Sequence, residues 1–435
     1  MRLAFVIQRY GAEVLGGSEH LCRLVAERLS GNHDVDVLTS CARDYVTWKN
    51  DYPEGADRIR GVTVRRFASA GARDIEAFNR FSDWIFNHPH SRADEAEWLK
   101  QQGPWCPGLI EYLRRQQQQY DVLIFFTYLY APTVLGLEVA PSRSILVSTA
   151  HDEPAIRLEI FKDVFRTPAA LCYLTESERR FVQLQFPERP FLEEVVGVGV
   201  DLPQQQPYPR MPAALDEDQA GVVAGTESAD RAGGGSEEDG PSREFPPHLL
   251  ARGAVFRRRH RLYGPMLLYG GRIDPGKGCE ELIQYFGEYV SEGGDATLVL
   301  MGVKLMSLPE DPCIRFAGLL SDRERLQALE AATVVACPSP YESLSLLALE
   351  SLSVGTPILA NARSAVLVEH CVGSNGGLYY ADRDEFVECL RRLVADEPLR
   401  AALGRNGREY VRRSYRWDAV LGKYERLFAK IRNAR

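Results

Sequence analysis

Residues 266–278 read Met266-Leu267-Leu268-Tyr269-Gly270-Gly271-Arg272-Ile273-Asp274-Pro275-Gly276-Lys277-Gly278. Four apolar residues run into a glycine-rich turn, and the helical pattern of Glu280–Tyr289 follows, so the stretch predicts a strand handing over to a helix. The same unit recurs outward in both directions. Thr297–Met301, Ile314–Phe316, Val334–Ala336 and Ile358–Ala360 are further strand candidates separated by helical segments. Toward the amino terminus, Leu3–Ile7, Val35–Thr39, Val122–Thr127, Ile145–Ser148 and Leu171–Leu174 alternate with helical stretches such as Ser18–Leu29 and Ser177–Gln185. Continuous apolar strands interleaved with helices build parallel sheets covered on both faces. Gly61–Phe67 alternates apolar and polar residues and reads as a more exposed strand. The fold class is therefore α/β, with two doubly wound domains.

The boundary between them falls where Gln, Pro, Gly, Ser and acids accumulate. The expected organisation is an amino-terminal Rossmann-like domain over 1–203, a linker over 204–262, a carboxyl-terminal Rossmann-like domain over 263–414 and a packing helix over 415–435. Within the linker, Asp216 to Glu244 carries nine acidic residues against two basic ones. Such composition buries too little apolar surface to offset chain ordering, so 213–245 is expected to be a flexible insertion. The run Phe256-Arg257-Arg258-Arg259-His260-Arg261 after it reads as a solvated start to the second domain, with attraction to phosphates or an anionic membrane as the alternative.

Composition narrows the function. With 435 residues, 45% hydrophobic and 26% charged, the chain can bury real cores, and fibrous or wholly disordered classes are out. A net charge of −8 argues against a nucleic-acid partner. Nine widely spaced cysteines suggest neither a disulfide framework nor a metal knuckle, which points to a reducing compartment. No run approaches the roughly 18 apolar residues that span a bilayer. The expected location is cytoplasmic, with peripheral association at the inner membrane face left open.

The sharpest chemical signal is Tyr341-Glu342-Ser343-Leu344-Ser345-Leu346-Leu347-Ala348-Leu349-Glu350-Ser351-Leu352. The spacing predicts a helix from about Ser343 to Gly355, apolar on nearly every face and so buried. A carboxylate at Glu350 needs partners there, such as ribose hydroxyls or a cation. The helix start near Ser343–Leu346 offers unpaired N–H groups, a seat for a diphosphate. Eight helical residues would set Glu342 and Glu350 roughly 12 Å apart. The plainer alternative makes Glu342 a helix-start acid and Glu350 a core ion-pair member.

Around Gly271, glycines let backbone approach a ligand closely, while Arg272 and Lys277 supply charge for phosphate oxygens. Gly271 to Lys277 fits seven positions of the phosphate-loop pattern, but Gly278 stands where Ser or Thr would hold Mg²⁺, so nucleotide hydrolysis is disfavoured. Gly16-Gly17 opens a helix without the full dinucleotide fingerprint. His151-Asp152 follows a strand at the end where open α/β sheets build sites, although a lone histidine also packs or caps. No metal site is expected.

Together, the Glu342 to Glu350 spacing, the Gly271-Arg272 to Lys277-Gly278 turn, the Gly16-Gly17 loop and the His151-Asp152 pair resemble the retaining family-4 glycosyltransferases. Gly318 to Arg323 and Val198-Gly199-Val200-Asp201 resemble lesser segments of the same family. The resemblance implies a GT-B fold, two Rossmann-like domains facing a central cleft. It implies a metal-independent enzyme without a cofactor, moving a sugar from a nucleoside-diphosphate sugar to a saccharide, lipid-linked or other hydroxyl acceptor. Arg272 and Lys277 would hold the diphosphate, and Glu350 the ribose. Glu342 and His151 would contact the transferred sugar, Gly17 would line the phosphate-side loop, and backbone amides of Ser345 and Leu346 would touch the distal phosphate. Arg363-Ser364 departs from the family's usual Gly-Gly pair. The alternatives are a sugar-nucleotide epimerase on the same fold and a non-catalytic nucleotide-sugar-binding protein. An acceptor would sit in the first domain, where Tyr45, Trp48, Phe81, Trp84, Phe86 and Trp105 could stack on sugar rings.

Overall fold

The structure, a computed structural model, describes residues 1–14, 16–201 and 252–434. The expected acidic insertion at 213–245 lies outside the described residues. Among the described residues, fourteen strands form two sheets. The first holds β1 (Arg2–Val6), β2 (Asp34–Ser40), β3 (Gly55–Ile59), β4 (Val62–Phe67), β5 (Val122–Phe126), β6 (Ser144–Val147), β7 (Ala170–Tyr173) and β8 (Leu192–Val195). Its order is β3-β4-β2-β1-β5-β6-β7-β8, parallel throughout except for the antiparallel β3–β4 pair. The second holds β9 (Met266–Gly270), β10 (Thr297–Met301), β11 (Ile314–Gly318), β12 (Val334–Cys337), β13 (Ile358–Asn361) and β14 (Gly377–Tyr380). Its order is β11-β10-β9-β12-β13-β14, all parallel.

The interior strands show why both faces had to be apolar. Along β1, Leu3 and Phe5 enter one core while Ala4 and Val6 enter another on the opposite face. Along β9, Met266 and Leu268 face one core and Leu267 and Tyr269 the other. One apolar cluster runs continuously from the first domain into the second.

Three strands escape a reading by apolar runs: β3, β8 and β14. All three are edge strands. Gly55–Ile59 and Leu192–Val195 are polar enough to face water, and with a single neighbour they need no second apolar face. The segment assigned to the linker also contains a helix, Arg252–Arg259, which packs on the Asp322–Ala331 helix and buries Phe256.

The last helix, Trp417–Asn433, returns to the first domain. Its Val420, Tyr424, Leu427, Phe428 and Ile431 are buried. Lys423 donates to the Val195 carbonyl at 2.8 Å, His33 Nε2 meets Glu425 at 2.6 Å, and Arg28 stacks over the Trp417 ring at 3.8 Å. Among the described residues, no helix is long and apolar enough to cross a membrane, and all nine cysteines are free thiols.

Candidate functional site

In the second sheet the chain runs outward from β9 through β10 to β11, then crosses back to β12 beside β9. The order reverses between β9 and β12, and open α/β sheets bind ligands at the carboxyl ends of strands at such a point. The loop after β9 is the cationic glycine turn. The loop after β12 leads through Pro338 to Glu342.

Local geometry brings these loops together. Gly278 has φ 74°, and a Cβ there would lie 2.4 Å from the Pro338 carbonyl oxygen, so only glycine lets the loops approach this closely. Asp274 accepts from the Lys277 N–H at 3.0 Å and closes the Pro275–Lys277 turn. Lys277 Nζ then donates to Glu342 Oε1 at 2.8 Å. Arg272, on the same turn, donates to the Tyr45 hydroxyl of the first domain at 3.0 Å and meets Asp274 at 3.5 Å.

The helix after this loop spans Leu346–Val354, later than the expected start at Ser343. Ser345 caps it from the left-handed region at φ 63°, with no side-chain cap among the described residues. Glu342 and Ser343 therefore lie in the loop, and a spacing of roughly 12 Å along one helix axis does not describe the two glutamates. The amides that follow Ser345 remain first-turn donors, open to an anion. A histidine that the sequence reading passed over supports the loop: His370 Nε2 lies 2.6 Å from the Leu344 carbonyl, and burial pulls its pKa down, so the neutral ring donates that bond.

Glu350 is buried among apolar neighbours, and its partner is Arg325 at 3.0 Å. Burial pushes its carboxyl up to about 7; Arg325 opposes the shift, while Asp322 and Asp201 add to it. The ion-pair alternative for this residue is thus realised. Among the described residues, Glu350 forms no hydrogen bond or ion pair with Arg272, Lys277 or Glu342. It lies toward the helix that starts at Gly17: His20 of that helix is held down at about 4 by burial, Arg23 and Arg325. Around Gly17 itself, a Cβ would meet nothing within 4 Å. Arg363, at the departure from the family pattern, pairs with Glu281 at 2.6 Å, and Ser364 caps the Ala365–Ser374 helix.

His151 follows β6 and faces the other domain, its ring 6.2 Å from that of Tyr341. Its Nε2 lies 3.7 Å from Glu153. The turn presenting it is strained, since Thr149 is β-branched yet sits at φ 50°. A second residue missed at the sequence level holds it. Glu178, fully buried, accepts from the Ser148 hydroxyl at 2.6 Å, the Ala150 N–H at 2.7 Å and the Leu174 N–H at 2.6 Å. Burial nevertheless pushes its carboxyl up to about 7.

The structure thus joins Lys277 to Glu342, places Arg272 on the same turn against the first domain, and sets His151 beside the Tyr341–Glu342 loop. Glu350 pairs instead with Arg325, whose charge also bears on His20 of the helix that Gly17 opens. Thr175 donates to the Ser343 carbonyl at 3.4 Å, and Glu369 accepts from the Glu176 and Ser177 N–H groups at 3.1 and 2.6 Å, tying the domains together. Of the candidate stacking aromatics, Trp48 and Trp105 line a first-domain cavity of about 370 Å³, and Tyr45 lies against Arg272. Phe86 packs on Trp98, and Phe81 stacks on Trp84. Among the described residues, no group of three or more His, Cys, Asp or Glu is placed to hold a metal ion.

Comparison with known proteins agrees with this architecture. The family model for glycosyl transferases group 1 matches residues 256–410. A D-inositol 3-phosphate glycosyltransferase from Nocardioides is 29% identical over 413 residues, 86% of this chain and 83% of that protein. A GDP-mannose-dependent alpha-(1-6)-phosphatidylinositol dimannoside mannosyltransferase from Mycobacterium tuberculosis is 30% identical over 145 residues, 31% of this chain and 36% of that protein. Sucrose-phosphate synthase from Thermosynechococcus elongatus superposes with a TM-score of 0.66 at 16% identity, covering 100% of both chains.

Proposed function

We propose that the chain, whose residues 256–410 match the model for glycosyl transferases group 1 and which builds the GT-B fold, moves a sugar from a nucleoside-diphosphate donor to a hydroxyl of a saccharide or lipid-linked acceptor, with retention and without a metal. The observation that carries this reading is the contact of Lys277 with Glu342 at 2.8 Å, on the same turn as Arg272 and beside the open first turn after Ser345.

The leaving group is a diphosphate, and the sugar acquires oxocarbenium character as the bond breaks. Arg272, Lys277 and the amides of the Leu346–Val354 helix supply fixed positive charge where negative charge develops, the arrangement that lowers such a barrier most. Ser345 and Leu346 present their amides to the distal phosphate. Glu342, held by Lys277, and His151 contact the transferred sugar from the two domains. Gly17 leaves room on the first-domain side, and Glu350 takes the ribose hydroxyls. The acceptor attacks from the face that the diphosphate leaves, and a phosphate oxygen of the leaving group takes the acceptor proton, so no side-chain nucleophile is required. The inositol phosphate and phosphatidylinositol mannoside transferases named above act, by their names, on polyol and lipid-linked acceptors. That supports a hydroxyl acceptor of this kind, reached at a membrane surface where it is lipid-linked.

The experiment is a panel of UDP-, GDP- and ADP-sugars with saccharide, inositol phosphate and lipid-linked acceptors, product anomers read by NMR. Transfer is expected with the donor's anomeric configuration kept. Lys277→Ala and Arg272→Ala are each expected to lower it by about a hundredfold or more, with the fold intact, and EDTA to leave it unchanged. Near-normal turnover in both variants removes the clamp assignment. Donor consumption without an acceptor selects the epimerase reading, and donor binding without any product selects the non-catalytic one.

A further inference from the structure

Tyr45 lies in the loop between β2 and β3, in the first domain, yet its hydroxyl meets a side chain of the second. Its hydroxyl accepts from Arg272 Nη1 at 3.0 Å, and the Arg272 guanidinium stands 5.4 Å from its ring centroid. The Arg9 guanidinium lies at the same distance from that ring and is itself bound to buried Glu19 at 2.6 Å. Within its own domain, Arg272 meets Asp274 at the longer distance of 3.5 Å.

The loop is built to keep Tyr45 there. Asp44 accepts from the Val46 N–H at 3.1 Å and from both the N–H and the hydroxyl of Thr47 at 2.7 Å. Arg73 donates to the carbonyls of Val46 at 2.8 Å, Gln102 at 3.2 Å and Tyr45 itself. Its guanidinium is held between Trp48 and Phe78, 5.2 and 4.9 Å from their rings. Trp48 adopts φ 56°, and its indole N–H donates to the Gln102 carbonyl at 2.6 Å. A bulky residue at positive φ is costly unless its surroundings fix it, and here they do. An arginine free to sample its rotamers loses entropy when it meets a phosphate; one already stacked and hydrogen-bonded has lost it beforehand.

We propose that Tyr45 is a positioning residue for the donor: it fixes the Arg272 guanidinium in the interdomain cleft, so that the diphosphate meets an arginine already in place. The proposal rests on the reading of Arg272 as a diphosphate clamp and adds a first-domain side chain that acts through that arginine.

The test is a double-mutant cycle on the full chain. UDP, GDP and ADP are titrated calorimetrically against the wild type, Tyr45→Ala, Tyr45→Phe, Arg272→Ala and the Tyr45→Ala/Arg272→Ala double variant, with donor and acceptor KM measured alongside. Tyr45→Ala is expected to lower diphosphate affinity about three- to tenfold. Tyr45→Phe, which keeps the ring, is expected to recover most of the loss. On the Arg272→Ala background, removing Tyr45 is expected to change nothing further. Donor KM rises while acceptor KM holds. Losses that add in the double variant, or a change confined to acceptor KM, overturn the proposal while leaving the clamp standing. Unchanged diphosphate affinity in Arg272→Ala, or no diphosphate binding by the wild type, overturns the clamp and the proposal together.

Discussion

Two buried glutamates, one at the carboxyl edge of each sheet, carry carboxyls pushed up to about 7 by burial, and their surroundings differ in one respect. Glu178 is saturated. Its oxygens accept from one hydroxyl and two backbone N–H groups, all within the first domain, and they tie the end of β6 to the end of β7. Among the described residues Glu350 has a single cationic partner, Arg325, and two carboxylates nearby that oppose its ionisation. A carboxylate offers about four acceptor positions. The first glutamate spends them on the fold, whereas the second leaves most of them for the ribose hydroxyls of the proposed donor. Burial of a charge does not by itself mark function; the number of partners the protein supplies does.

The comparison is sharpened most by replacing each with glutamine. Glu350→Gln is expected to raise donor KM by about a hundredfold, the loss of hydrogen bonds from hydroxyls to a charged acceptor, while the melting temperature holds or rises, because a buried charge has been removed. Glu178→Gln is expected to do the reverse. Its amide NH₂ must face either the Leu174 N–H or the Ser148 and Ala150 donors, leaving buried groups unpaired at a cost of about 2 kcal/mol, which lowers the melting temperature by roughly 4–8 °C. Donor KM should stay near the wild-type value, and kcat should fall modestly as the His151 turn loosens. If both variants lose stability alike with donor KM unmoved, the distinction between the two glutamates is wrong.

The sequence exposed these residues unequally, for a physical reason. A lone charge inside Leu346–Val354 is conspicuous because nearly every neighbour is apolar. Glu178 sits in Thr175-Glu176-Ser177-Glu178-Arg179-Arg180, an ordinary polar helix start, and nothing local reveals that β6 delivers donors to it. The interior strands were legible because burial on both faces demands unbroken apolar runs. The edge strands β3, β8 and β14 were not, because an edge meets no such demand. From residues far apart in sequence, Arg272, Lys277, Glu342 and Glu350 were expected around one activated sugar; the structure joins Lys277 to Glu342 across 65 positions and pairs Glu350 with Arg325 instead. Tyr45 was singled out only as a ring for an acceptor sugar, and His370 and Arg325 not at all, since each acts through a partner that only the tertiary fold supplies. The acidic insertion lies outside the described residues, and its composition alone speaks for it.

A third, smaller effect separates activity from stability by pH. Burial pushes the Glu350 carboxyl up to about 7, and the proposed ribose contact needs its ionised form, so kcat/KM for the donor should rise with pH to a plateau above about 7 and fall roughly tenfold per unit below it. Stability runs the other way. Both glutamates have folded pKa values raised from 4.5, so each stabilises the fold fully below about 4.5, and that contribution is lost as pH rises toward about 7. Glu178→Gln should flatten the stability slope between these limits without moving the activity midpoint. Glu350→Gln should abolish the activity midpoint. An activity midpoint that moves with Glu178 breaks the comparison from the other side.

The finest test moves Glu350 without touching it. Arg325 is the cation that restrains the upward shift, 3.0 Å from the carboxyl and partly exposed. Arg325→Met keeps much of the stem and removes the charge, so burial, Asp322 and Asp201 act unopposed and the carboxyl should titrate higher still. The activity midpoint is expected to move up by about one pH unit, with turnover below wild type at pH 7 and restored near pH 9. A structural loss would depress turnover at every pH, whereas this one recovers as base is added. Glu178, saturated within its own domain, should titrate as before, and the stability slope that it contributes should be unchanged. A midpoint that stays near 7 in Arg325→Met would mean that Glu350 is held by something other than its one cation, and the contrast between a saturated and a half-provided carboxylate would fail.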